Sequence, residues 1–257
     1  MRENIIKVWK SVLVFLIIFL IWEVSVRVFE IPEWFLPGPV QIFREAVLSF
    51  PVYADHIVPT VILSLIGLAI GTFIGVMTAI FLYRIPKLKE IVYPLLIVSQ
   101  NIPTIVLAPL LVIWFGFGML PKLIVITLVC FFPITISLLN GFLQTDQELK
   151  HYMLMAGASS RQIFWKLEWP SALPSLFSGL KIAATYSVLG AVISEWLGAK
   201  RGIGVFMTLS SSAFQTDRVF ISIFIIVFVS LLLFFVIQLL EHLVIHWQHI
   251  EDGKPNE

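Results

Sequence analysis

Apolar runs long enough to cross a bilayer return about six times along this chain, and that recurrence limits its fold more than any single motif. A spanning helix needs about 20 mainly apolar residues, because lipid offers no partner to a backbone N–H or C=O and the helix must satisfy them itself. The runs lie at 8–28, 57–83, 91–115, 120–143, 173–197 and 219–246. The expected fold class is therefore an all-α integral membrane protein, with residues 1–257 forming one transmembrane domain. Composition agrees, since only 13% of positions are charged, where a soluble domain carries about 25%. The net charge of +1 gives no electrostatic reason to expect nucleic acid as a partner. The single cysteine, Cys130, sits in an apolar run and reads as a buried thiol. The opening "MRENIIKVWKSVLVFLIIFLIWEVSVRVF" starts like a secretory signal, but no small-residue cleavage site follows, so it reads as an uncleaved first span.

Cationic loops resist translocation, so lysines and arginines set the orientation. One side collects Arg2, Lys7, Lys10, Arg84, Lys87, Lys89, Lys150, Arg161, Lys166 and Lys254; the other holds Arg27, Arg44, Lys122, Lys200, Arg201 and Arg218. Both termini are expected in the cytoplasm, in the plasma membrane of the cell. The stretch 29–56 is then outside, with "VQIFREAVLSF" as an amphipathic helix along the interface.

The spans differ in kind. In "SLIGLAIGTFIGVMTA", Gly67, Gly71, Gly75 and Ala79 recur every fourth residue and form a smooth ridge for close helix packing. The third run contains Pro94, Pro103 and Pro109 around a polar triplet, Ser99, Gln100 and Asn101. Each proline frees a backbone carbonyl, so this helix must face protein or a watery cavity. That makes Gln100, Asn101 and Thr104 candidates for a translocation pathway, against the plainer reading of a kinked packing helix. Glu195, near the outer end of the fifth run, is a fourth candidate, or else it pairs with Lys200 or Arg201. Glu23 and Arg27 stand four apart and should pair on one helix face, and Lys181 should snorkel to the cytoplasmic interface.

Between the fourth and fifth runs, 144–172 reads "QTDQELKHYMLMAGASSRQIFWKLEWPSA". Thr145 with Glu148, and Ser159 with Gln162, each fit a capping box. Gly157 lies between them, where a helix can end in the left-handed conformation. Two short helices joined by a tight turn are expected, the second ending near Pro170. Ile163, Phe164 and Leu167 share a face on the second helix, which reads as an apolar knob offered to a partner's groove.

This stretch resembles the cytoplasmic signature of permease subunits of binding-protein-dependent ABC importers: Glu-Ala-Ala, three residues, Gly, an Ile/Phe-rich helix and a Leu-Pro ending. Gly157, Ala158, Phe164, Pro170 and Pro174 match, while His151, Tyr152 and Met153 stand at the Glu-Ala-Ala positions. "FLPGPVQIF", "NIPTIVLAPLLVIWFGFG" and "SEWLGAKRGIG" extend the similarity to the nitrate, sulfonate, taurine and pyrimidine branch. The resemblance implies a type I importer permease fold. It implies a homodimer of permeases, two ATP-binding cassette subunits holding ATP and magnesium, and an extracytoplasmic solute-binding protein. Ala156, Gly157, Ala158, Ser159, Phe164 and Pro170 would carry the coupling to the ATPase. The wording "KIAATYSVLGAVISEWLGAKRGIGVFM" is most similar to permeases for pyrimidine precursors of thiamine, with aliphatic sulfonate, taurine or nitrate as the alternative cargo.

Other chemistries find little support. No G-x-x-x-x-G-K-[ST] phosphate loop occurs, so ATP hydrolysis is expected in a partner, and no cofactor is expected on this chain. His242, His246 and His249 have helical spacing but lack an acidic zincin partner, and Trp247 beside them reads as an interface anchor, so no metal site is expected. No nucleophile elbow or triad motif is present. An ion-driven secondary transporter would call for inverted repeats and an intramembrane acid relay, and neither is visible.

Overall fold

The computed structural model describes residues 2–245 and, among these, all side chains but those of 2–8 and 11. It is helical throughout: α1 Arg2–Val28, α2 Pro39–Leu48, α3 Phe50–Arg84, α4 Pro86–Ser99, α5 Thr104–Phe115, α6 Met119–Leu143, α7 Gln147–Met155, α8 Ser160–Ile163, α9 Trp169–Glu195, α10 Ile203–Ser212 and α11 Thr216–Val244. Among the described residues four continuous helices are long and apolar enough to span, and a fifth span forms if the bent pair α4 and α5 counts as one. The first expected run is helical as α1, which is not one of those spans, and the side chains of its opening turns lie outside those described. The sixth ends at Val244, so the expectations for His246 and His249 fall outside the described residues.

At the centre α6 lies against α9, with α3 on the other flank of α6. Apolar helices surrounded by lipid gain little from hydrophobic burial against one another, so close packing of small residues must hold them together. Gly67, Gly71 and Gly75 turn towards α6: a Cβ at Gly71 would lie 2.6 Å from that of Cys130, and one at Gly75 3.1 Å from Ile134. Ala79 continues the ridge and is fully buried. On the α9 side, a Cβ at Gly179 would approach the Pro133 carbonyl to 2.8 Å. Large apolar side chains cover the outside of the bundle instead, among them Phe73, Phe81, Phe228 and Leu239.

Several expectations need correction. The third span is not one rod, because α4 and α5 meet at 97°. Asn101 and Ile102 donate backward by three residues, to Val98 and Ser99, which closes α4, and Pro103 has no N–H with which to continue it. Since α3 ends beside the hairpin and Phe117 lies against Gly198 past the opposite end of α9, the bent pair runs from one end of the bundle to the other. The fifth span does not begin after a stop at Pro170 either. Helix runs unbroken from Ser160 to Glu195 through a π-helical turn, Phe164–Glu168, in which Trp169 donates to the Phe164 carbonyl. A proline ring clashes with the carbonyl four residues back in an α-helix, and the wider π turn makes room for it. α3 starts at Phe50, earlier than expected, because Pro51 fixes the helical φ at its first turn. Lys181 does not snorkel alone; its Nζ is 2.8 Å from Glu241 of α11. α10, between the fifth and sixth spans, is a helix where the sequence reading placed only a loop.

Candidate functional site

The hairpin between α6 and α9 is built from two local devices. α7 is capped by Asp146, whose Oδ1 accepts from the backbone of Glu148 at 2.8 Å and Leu149 at 3.2 Å. The expected cap, Thr145, is displaced by one residue and its hydroxyl is buried without a partner. Gly157 has φ +82. Its N–H donates to Leu154 and that of Ala158 to Met153, both at 3.0 Å, which is the Schellman closure of a helix end. α8 then opens with a reciprocal box: Ser159 N–H donates to Gln162 Oε1 at 2.8 Å, and the Ser159 hydroxyl accepts from the Gln162 backbone. Ala156, Gly157 and Ser159 stand exposed at the tip.

The apolar face of the second helix points the other way from the expected knob. Ile163, Phe164 and Leu167 are buried in this chain. Phe164 packs among Phe142, Trp165 and Trp169, and the Arg84 guanidinium lies 4.2 Å above its ring. Pro170 is half-buried at the start of α9. The apolar residues that the hairpin exposes most are Tyr152 at 66% and Met155 at 82%, both of α7, with Trp165 of the second helix at 55%. Beneath α7, one oxygen of Glu168 accepts from Tyr83 Oη at 2.6 Å and lies 2.7 Å from Lys150 Nζ. The sequence reading missed this cluster; its one signal was a lone carboxylate a turn beyond Phe164, on the face marked as apolar.

At the break between α4 and α5, a cavity of about 570 Å³ brings Gln100, Asn101 and Thr104 together with Phe132 of α6 and Tyr186 of α9. Asn101 Nδ2 donates to the Ile97 carbonyl at 2.7 Å, covering a carbonyl that the break leaves open. Glu195 is not part of this group. It is buried at the far end of α9, where it accepts from the Thr60 hydroxyl at 2.7 Å and the Gly204 backbone at 2.8 Å. The Thr60 oxygen accepts in turn from Ile203 N–H at 2.8 Å, and His56 Nδ1 from Gly202 N–H at 3.1 Å. Neither Lys200 nor Arg201 pairs with Glu195; its carboxylate caps the first turn of α10. A Cβ at Gly202 would collide with that carboxyl group, and one at Gly204 with the Val192 carbonyl at 2.4 Å.

Glu23 and Arg27 are joined at 2.6 Å, and the second Glu23 oxygen accepts from Val40 N–H, tying α1 to the start of α2. Glu45 of α2 in turn pairs with Arg218 of α11 at 2.8 Å.

Comparison with known proteins agrees with this architecture. Residues 71–246 match the family described as the binding-protein-dependent transport system inner membrane component. The formylaminopyrimidine transport permease protein ThiX of Halalkalibacterium halodurans is 37% identical over 92% of this chain and 94% of its own length. A putative aliphatic sulfonates transport permease protein of Bacillus subtilis is 28% identical over 95% of this chain and 89% of its own. A crystal structure of an amino acid ABC transporter with histidines superposes with a TM-score of 0.64 at 15% identity, over 78% of this chain and 97% of that one. With a type I permease fold and no catalytic work of its own, the chain belongs to the binding-protein-dependent ABC importer permeases, multi-pass components of the inner membrane that depend on an ATPase and a solute-binding protein.

Proposed function

We propose that this permease translocates a small neutral heterocycle, a thiamine-related pyrimidine precursor, through the cavity at the α4–α5 break. The observation that carries the reading is the lining of that cavity. None of the described residues around it is charged, while Phe132 and Tyr186 offer aromatic faces and Gln100, Asn101 and Thr104 offer donors and acceptors. A pyrimidine with amine and amide groups needs that mixture, and formylaminopyrimidine is what the 37%-identical relative is named for transporting. A sulfonate would carry a full charge into a membrane site without a cation. The 28%-identical sulfonate permease keeps that cargo as the second reading.

In this reading the hairpin, the α3–α4 turn and both termini face the cytoplasm, as the lysine and arginine distribution favours. Two copies of the chain face each other across the exposed Gln100 and Asn101, and lipid covers the remaining apolar surface. ATP and magnesium bind the two cassette subunits beneath. Tyr152 and Met155, with the turn Ala156–Gly157–Ala158–Ser159, dock on the cassette, while Phe164 and Pro170 serve from inside by fixing the hairpin to α9. ATP binding favours the outward-open state and hydrolysis returns the inward-open one, so the work comes from differential affinity for two global states.

The docking half is tested by co-purifying the cassette subunit with a tagged permease. Met155→Asp is expected to release the cassette while the permease stays folded, and undiminished recovery of the cassette would overturn the assignment. The cargo half is tested by uptake of radiolabelled formylaminopyrimidine, with competition expected from unlabelled pyrimidine and none from taurine.

A further inference from the structure

α7 is unusual in that none of its nine residues is buried. An isolated helix of that length is marginal in water, and with no residue buried α7 has little core packing to hold it in place. A cavity of about 420 Å³, bounded by Arg84, Lys89, Lys150 and Glu168, separates it from the end of α3. The ion pair of Lys150 with Glu168 bridges that gap at 2.7 Å. Glu168 is itself nearly inaccessible and sits in the π turn that leads into α9, and the same oxygen accepts from Tyr83 of α3 at 2.6 Å. Tyr83 is held in turn by stacking on Phe142 of α6, ring centroids 4.8 Å apart. One buried carboxylate oxygen thus joins the exposed helix to the two spans that flank α6.

We propose that Glu168 is a positioning residue for energy coupling: it makes α7 move as one body with α3 and α9, so that displacement of the hairpin reaches the spans. A buried carboxylate held by two partners, one of them charged, is costly to separate from them, which suits a rigid link. Without it, α7 still presents Tyr152 and Met155 to its partner, but its motion is lost in the cavity behind it. The proposal rests on the importer reading above.

The test uses the full complex with its cassette subunits and binding protein in proteoliposomes, comparing radiolabelled formylaminopyrimidine taken up with ATP hydrolysed. Glu168→Gln and Lys150→Met are each expected to lower solute moved per ATP about tenfold, within the usual span of coupling between sites, while cassette recovery and hydrolysis persist. Lys150→Met replaces a partly exposed side chain and leaves Glu168 bonded to Tyr83, so it reports even where Glu168→Gln assembles poorly. Lys150→Arg, and the exchange Lys150→Glu with Glu168→Lys, are expected to restore coupling. Wild-type coupling in Lys150→Met, or failure of Lys150→Arg to improve on it, would overturn the proposal. Absence of ATP-driven uptake in the unaltered complex would instead remove the reading beneath it.

Discussion

Thr60, in the part of α3 remote from the hairpin, donates a 2.7 Å hydrogen bond to Glu195 at the end of α9, and both side chains are buried. The same hydroxyl oxygen accepts from Ile203 at the start of α10, so one threonine ties three helices at the end of the bundle away from the hairpin. Thr60→Val keeps the volume and leaves a carboxylate oxygen and an N–H without their partner. It should destabilise the protein by about 1–3 kcal/mol, the usual cost of an unsatisfied buried polar group. Thermal unfolding in detergent measures this, and an unchanged midpoint would show that the network is dispensable.

The glycine ridge gives a second expectation. Gly71→Ala places a Cβ 2.6 Å from that of Cys130 and 3.1 Å from the Thr127 carbonyl. Overpacking of this kind costs about 1–3 kcal/mol. Removing the opposing Cβ with Cys130→Gly should recover part of the loss in the double variant, because residues in contact are not additive. Strict additivity would mean that the two helices separate instead of repacking.

Gly157 supplies a third. Its φ of +82 lies outside the range of proline, and its N–H is committed to Leu154. Gly157→Pro should therefore unmake the turn and uncouple ATP turnover from transport, whereas Gly157→Ala, costing about 1–2 kcal/mol for the left-handed backbone, should lower coupling only in part. Uptake and hydrolysis measured on the same vesicles distinguish the two, and coupled uptake in the proline variant would contradict the assignment.

Gln100 and Asn101 provide a fourth. A hydrogen bond to solute contributes about 0.5–1.5 kcal/mol, so Gln100→Ala should weaken uptake by up to about tenfold. Asn101→Ala should do more, because it also leaves the Ile97 carbonyl uncovered. Glu195→Gln keeps an acceptor for only one of Thr60 and Gly204, but it lies away from the cavity, so the apparent affinity for solute should be unchanged. Equal effects at all three positions would mean that the cavity is not where discrimination occurs.

Much of this architecture was legible in the sequence for physical reasons. Apolar length marks a span because lipid permits so few alternatives, and the spacing of Gly67, Gly71 and Gly75 marks a contact because close approach needs missing side chains. Ser159 and Gln162 were readable because a cap is a local interaction. The direction of Phe164 was not, since an apolar face looks the same whether it serves a partner or the chain's own core. Glu168 and Tyr83 stand 85 residues apart, and their meeting depends on how α3 and α9 flank α6. The helix through Pro170 escaped notice because a π turn leaves no pattern in sequence as simple as the proline it accommodates.

The measurement that bears most directly on the central claim is ATP hydrolysis by the reconstituted complex with its binding protein, titrated separately with formylaminopyrimidine, taurine and an alkyl sulfonate. Stimulation by the pyrimidine is expected, and none by the other two. Stimulation by a sulfonate in place of the pyrimidine would contradict the cargo, and a complex that moves the pyrimidine without ATP would contradict the mechanism.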